Sequence, residues 1–253
     1  MELLMLIDAA RRASARRITA VMPYYGYARQ DRKDRPRVPI SIRQAIKSLQ
    51  KAGGPRLRGF LTMDIHNEAS MGIADRPWDN VYASWSFIPV LQALSLADLV
   101  VASPDIKGGI RAQAYAKRLG TTRLAVVYKF RDPDNPNQSE ATELIGDVER
   151  KTVVIVDDIL DTGGTLCNGA ALIKERGADR IYAAITHGLF SGPALKRIAE
   201  SPIEKIFITD SVPATKAVLA NPRIEIVTVA PLLAGVIKCI YTGDSISERF
   251  ILA

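Results

Sequence analysis

The chain is poor in the residues that build covalent or metal-bound frameworks. Among its 253 residues are two cysteines, Cys167 and Cys239, and two histidines. Two thiols this far apart form neither a disulfide scaffold nor a thiolate metal site, so a reducing, cytoplasmic setting is expected. No apolar run is long enough to span a bilayer, so no membrane partner is expected. In the opening ELLMLIDAARRASARRI the positive charge follows the apolar residues and no small-residue cleavage site closes it. That order argues for an amphipathic helix rather than a secretory leader. Low-complexity tracts and short tandem repeats are missing as well.

What remains is the composition of an ordinary globular protein, 47% hydrophobic and 24% charged, sized for one large domain or two modest ones. A formal net charge of +7 suits anionic partners, either nucleic acid or phosphorylated small molecules. The densest basic stretch, GYARQDRKDRPR at 26–37, carries Asp31 and Asp34 among its cations. Those acids spoil a phosphate-backbone footprint, and the stretch follows the strand-like ITAVMPYY, so a nucleotide site is the better reading and nucleic acid is not expected.

Strand-like and helix-like segments alternate throughout, the signature of α/β architecture with mainly parallel sheets. Strands are expected near 18–23, 59–64, 98–103, 123–128, 152–157, 180–186, 204–209 and 224–229. Helices are expected near 1–14, 39–52, 86–95, 108–119, 164–177, 192–200 and 230–241. PWDNVYAS interrupts the alternation, which suggests two similar domains, 1–83 and 84–253, with a cleft between them. The segment 131–142, RDPDNPNQSEAT, is polar and aperiodic and is expected to be a mobile surface loop.

The most informative stretch is VVIVDDILDTGGT, 153–165. Val153 to Val156 suit a strand covered on both faces of a parallel sheet. Asp157 and Asp158 follow at its carboxyl end, where open α/β sheets place their ligands. Asp161, Thr162, Gly163, Gly164 and Thr165 then make a tight turn into a helix, whose first N–H groups and bare glycine backbone accept an anion. The paired carboxylates can accept hydrogen bonds from vicinal hydroxyls, and ribose 5-phosphate offers both features. A plain helix cap and turn would use the same residue types, but not all of them in one window after a strand.

This loop resembles the one shared by phosphoribosyltransferases and ribose-phosphate pyrophosphokinases. Four further segments narrow the choice: YYGYARQDRKDRPR at 24–37, TMDIHNEA at 62–69, SPDIKGGIRAQAYAKRLG at 103–120 and THGLFSGPA at 186–194. In this order they make the chain similar to the ribose-phosphate pyrophosphokinase family along nearly its whole length. The resemblance implies two phosphoribosyltransferase-like domains, the first incomplete, since family length implies roughly sixty residues ahead of the position matching Met1. It also implies transfer of the diphosphoryl group of ATP to C1 of ribose 5-phosphate, with Mg2+ and within a homo-oligomer built from dimers, up to a hexamer.

The resemblance further implies site residues. Arg29, Gln30, Asp31 and Asp34 fall at the ATP site, Arg29 being suited to phosphate and Gln30 to the base or ribose. His66 falls at magnesium and the ATP phosphates, although a lone histidine after an apolar strand is often packed in a core. Asp105 is a second metal-associated acid, with a helix cap as its plain alternative. Asp64, Asp75 and Asp79 match cation positions, but the last two lie in IADRPWDN, which departs from the family pattern. Lys129 and Arg131 match the basic pair at the root of the catalytic loop. Alternation along an extended segment puts them on one face, with Phe130 between them in place of a more usual basic residue. Tyr24, Tyr25 and Tyr27 can stack on a base or simply pack, Gly188 and Gly192 are expected to take unusual backbone angles, and His187 is given no chemistry. Two other readings stand beside the kinase: a non-catalytic subunit associated with a pyrophosphokinase, and a phosphoribosyltransferase that consumes the activated sugar.

Overall fold

Val153, Val154, Ile155 and Val156 have no exposed surface, so this short β-branched run is buried on both faces, as a central parallel strand requires. The fold is that of a computed structural model, which describes residues 1–33, 36–130 and 141–251, with side chains left aside at 129, 130, 141, 142 and 251. The chain divides into two compact units, Met1–Tyr82 joined by the stretch from Ser247 onward, and Ala83–Ile246.

In the first unit, helix α1 (Glu2–Arg12) leads into strand β1 (Ile18–Met22), helix α2 (Ser41–Gly53), β2 (Leu57–Met63) and β3 (Trp78–Val81). The three strands form a parallel sheet in the order β1-β2-β3. Ile7 of α1 and Ile42, Ile46 and Leu49 of α2 bury one face of each helix with Leu57 and Phe60. The amphipathic reading of the opening segment therefore describes α1.

The second unit runs α3 (Ser84–Ala93), β4 (Leu99–Ser103), α4 (Gly109–Arg118), β5 (Leu124–Phe130), β6 (Ala141–Ile145), β7 (Thr152–Leu160), α5 (Gly164–Glu175), β8 (Arg180–Gly188), α6 (Ala194–Glu200), β9 (Lys205–Thr209), α7 (Lys216–Leu219), β10 (Ile224–Val227) and α8 (Ala230–Thr242). Its seven strands are ordered β10-β9-β8-β7-β4-β5-β6, and every pair but β5–β6 is parallel. The strand order reverses direction between β7 and β4. Such a reversal splays the following connections apart and opens a crevice at the carboxyl ends of both strands. The α/β class with mainly parallel sheets is thus what the alternation of segments implied.

Three elements depart from the expected pattern. PWDNVYAS, read as an interruption, contains β3; Trp78 packs its ring 5.4 Å from that of Phe60, and the Pro77 carbonyl accepts from Phe60 N. The polar pair Asp79–Asn80 hid this strand, because Asn80 is buried and hydrogen-bonded there rather than solvated. Ala141 and Thr142, expected in a loop, begin the antiparallel edge strand β6; the rest of that expected loop, 131–140, lies outside the described residues. Helix α7 is a single turn, too short to leave a periodic signal.

Ile155 has no exposed surface in the core of the second unit. Ile155→Ala is expected to cost about 2–5 kcal/mol, read as a lower melting midpoint in chemical denaturation.

Candidate functional site

Strand β7 continues past its acids. It pairs with β8 as far as Leu160–Gly188, whereas its pairing with β4 stops at Ala102–Ile155. Asp157 and Asp158 therefore sit where one neighbour has ended and the other persists, at the mouth of the crevice. Their side chains are 18% and 9% exposed. Asp158 N donates to Asp157 Oδ1 at 2.9 Å, which fixes one carboxylate over the backbone of the next residue. Burial, and after it the Asp158 charge, push the Asp157 carboxyl well above the usual carboxylate range; Arg111 pulls the other way.

Arg111 lies in the first turn of α4, and its Nη1 reaches Asp157 Oδ1 at 3.2 Å and Asp158 Oδ1 at 3.4 Å. The approach depends on Gly108, where an added Cβ would collide with Ser103 Oγ at the end of β4. Asp105 Oδ1 accepts from Gly108 N at 2.9 Å, so this carboxylate also serves as the plain helix-start acceptor.

Beyond β7 the chain turns through Asp161, Thr162 and Gly163 into α5. Gly163 takes φ 75, the left-handed region, where a side chain would be strained although a Cβ would make only ordinary contact with Ala194. The helix start carries no side-chain cap, so the first amides of α5, at Gly164, Thr165 and Leu166, meet the turn directly. The turn is braced from the neighbouring segment: Ser191 N donates to Asp161 O at 2.9 Å, and Arg197 Nη1 donates to Thr162 O at 2.9 Å. A bare helix start beside an arginine, one turn beyond two carboxylates, can hold an anion at one end and hydroxyls at the other. THGLFSGPA supplies the Ser191 half of the brace and α6 the Arg197 half. Gly192 has φ 54 as expected, but Gly188 does not depart from strand geometry; it is needed because a Cβ there would meet the Phe190 ring at 2.5 Å. His187 is buried, with Nδ1 2.8 Å from Ser211 Oγ.

In the first unit two motifs distant in sequence come together, since Asn67 Nδ2 donates to Asp31 Oδ2. Arg29 is exposed, and the Gln30 amide donates to the Pro39 carbonyl at 3.4 Å. His66 is exposed rather than packed in a core. Asp64 is buried with φ 41, at the turn leaving β2. Burial raises the Asp79 carboxyl. Asp75 pairs with α2, where Lys47 Nζ lies 2.6 Å from it and holds its carboxyl below the usual range. Among the described residues no three His, Cys, Asp or Glu side chains gather as a metal cage. Tyr25 packs against Trp78, with ring centroids 5.8 Å apart, and burial raises its hydroxyl. Asp34 and Arg131 lie outside the described residues, while Lys129 is a β5 residue in register with Thr142.

Sequence reasoning missed Arg111, Arg197, Glu68 and Tyr82. Burial, and then Glu68, push the Tyr82 hydroxyl up to about 12, and it donates to Glu68 Oε1. GGIRA, an arginine two residues beyond a glycine pair that opens a helix, was the available signal for Arg111.

Because Asp157 is more easily protonated folded than unfolded, the folded state binds the extra proton and stability falls as pH rises through that interval. Asp157→Asn is expected to melt higher than the parent at pH 7. The gap should close as pH falls toward the ordinary carboxylate pKa of about 4. Scanning calorimetry across pH checks it; a variant that melts lower at pH 7 contradicts the strain assigned to this pair.

Comparison with known proteins agrees with this geometry. Residues 1–53 match the N-terminal domain of ribose phosphate pyrophosphokinase, and residues 133–251 match the phosphoribosyl synthetase-associated domain. The chain is 47% identical over 251 residues to a ribose-phosphate pyrophosphokinase of Chlorobaculum tepidum, covering 99% of this chain and 75% of that protein. It is 46% identical to one of Vibrio cholerae, covering 99% and 78%. The crystal structure of a phosphoribosylpyrophosphate synthetase from Mycobacterium smegmatis aligns with TM-score 0.86 at 36% identity, over 96% of this chain and 78% of that one. With nearly its whole length matched at this identity, and its strand-turn-helix site intact, the chain belongs to the ribose-phosphate pyrophosphokinase family of enzymes.

Proposed function

We propose that the chain transfers the β,γ-diphosphoryl group of ATP to the C1 hydroxyl of ribose 5-phosphate, releasing AMP and the activated sugar phosphate used in nucleotide biosynthesis. The observation that carries this reading is the uncapped start of α5 beyond Asp157 and Asp158, an anion cradle and a hydroxyl acceptor on one continuous strand-turn-helix. The 5-phosphate lies against the amides of Gly163, Gly164 and Thr165, with Asp161 and Thr162 shaping the turn. Asp157 and Asp158 accept from the ring hydroxyls. These contacts orient C1, and orientation is most of what diphosphoryl transfer asks of a protein, since no covalent intermediate on a side chain is needed.

The first unit carries the nucleotide segment. Arg29, Gln30, Asp31 and Asp34 contact ATP, supported by the tie between Asp31 and Asn67 that anchors this segment to the His66 turn. In the first unit His66 would contact Mg2+, with Asp64 and Asp79 as further acids of that unit, and in the second unit Asp105 would do so; Asp75 is occupied by Lys47. The carboxylates among these residues are oxygen donors of the kind Mg2+ takes, and because the ion keeps most of its water and is held by one or two protein groups plus substrate phosphates, a three-residue cage is not required. When bound, the ion neutralises charge on the transferring phosphates. Lys129 and Arg131 clamp the migrating oxygens. The enzyme works in the cytosol as a homo-oligomer built from dimers, up to a hexamer. That no described helix is long and apolar enough to cross a membrane fits such a setting.

Purified protein supplied with ATP, Mg2+ and ribose 5-phosphate is expected to release AMP only when all three are present; release independent of the sugar phosphate, or none from well-folded protein, sinks the proposal. Lys129→Ala and Arg131→Ala should each lower turnover about 100-fold or more while leaving ribose 5-phosphate affinity nearly unchanged. Steady-state kinetics decide this, and parental turnover in either variant removes the clamp.

A further inference from the structure

Two carboxylates side by side on one strand end repel each other, and one of them gains a proton unless a cation stands by. In this protein the cation comes from a different element. Arg111 reaches from the first turn of α4 to Oδ1 of both acids, with its own side chain 21% exposed and theirs 18% and 9%. Three neighbouring features set up that reach. Strands β4 and β7 are adjacent in the sheet, so the helix after β4 starts beside the acids of β7. Gly108 leaves out the side chain that would strike Ser103, which lets α4 begin tight against the sheet. Asp105 then fixes the same turn by accepting from Gly108 N at 2.9 Å.

We propose that Arg111 is a positioning residue of the ribose 5-phosphate site, holding the Asp157 and Asp158 side chains in one fixed arrangement that accepts the sugar's vicinal hydroxyls. The inference rests on the reading of this loop as a ribose 5-phosphate site and adds the group that keeps it ready to bind. The physical argument is one of charge state and direction. A protonated carboxyl turns one of its oxygens into a donor, and a pair sharing a proton offers hydroxyls fewer acceptors than two carboxylates do. A lone buried acid pair would also rotate to separate its charges. One guanidinium nitrogen spanning both Oδ1 atoms opposes both changes. Arg111 acts through the acids rather than on the reacting phosphates, so its loss should fall on sugar-phosphate binding and spare the nucleotide.

The test is titration calorimetry on the full chain, with ribose 5-phosphate and, separately, MgATP. Arg111→Met keeps the apolar stem and removes the charge; it is expected to weaken ribose 5-phosphate binding at least about 10-fold and to leave MgATP binding within about twofold. Arg111→Lys, which restores a charge without the planar fork, should recover part of the loss. Equal ribose 5-phosphate affinity in the parent and Arg111→Met overturns the inference, as does an equal loss of both ligands with no recovery in Arg111→Lys. If Arg111→Met does not fold, Arg111→Gln replaces it in the same two titrations, and an unchanged ribose 5-phosphate affinity there overturns the inference. A parent that binds no ribose 5-phosphate would instead refute the site reading itself, so the two failures are distinguishable.

Discussion

The site depends on one unfavourable contact that the fold enforces, two adjacent carboxylates kept largely buried at the end of β7. Nothing about strand stability asks for acids there, and burial pushes one of them toward protonation. They are held because β8 continues to pair beyond them while β4 stops short, which leaves one side of the strand open to the crevice. The apolar residues behind them, Val153 to Val156, are wholly buried and fix the strand on which the acids stand. Stability is thereby traded for a polar surface aimed at a ligand, a common exchange at binding sites.

The phosphate end is built by a different constraint. Gly163 adopts a left-handed backbone that a side chain would strain, and α5 starts without a side chain satisfying its first amides. An anion would complete those donors. The neighbouring α6 segment holds the turn in place through Arg197 and the Ser191 amide. The two ends of the proposed sugar-phosphate site are thus fixed by separate neighbours of β7, with Arg111 arriving from the β4 side and Arg197 from the β8 side. The chemistry asked of this site is placement, and placement is what rigid flanking elements provide.

Legibility in the sequence followed the range of the interactions involved. VVIVDDILDTGGT could be read because its requirements are local: a two-face-buried strand, acids at its end, and glycine where the backbone must turn left-handed. The α/β class followed from alternation for the same reason. What could not be read was set by partners far along the chain. Arg111 meets Asp157 across 46 positions, and GGIRA alone does not say which strand its arginine faces. Asn80 disguised β3 as a loop because its polar side chain is satisfied inside, by Thr62 and the Ile65 amide, instead of by water. Asp75 matched a family position and yet turns to Lys47, because charge pairing on the surface answers to whichever helix lies nearest. Gly188 was expected for its angles and is required for its lack of volume, a distinction that only the Phe190 ring reveals.

The central claim is that a sugar phosphate lodges with its anion on the amides opening α5 and its hydroxyls on Asp157 and Asp158. Crystals of the protein soaked in ribose 5-phosphate test it most directly. The account expects density for the phosphate within hydrogen-bond distance of the Gly163, Gly164 and Thr165 amides, and for the ring against both carboxylates. A ligand-free turn at saturating sugar phosphate, or a phosphate bound elsewhere with no sugar ring against the acids, would contradict it.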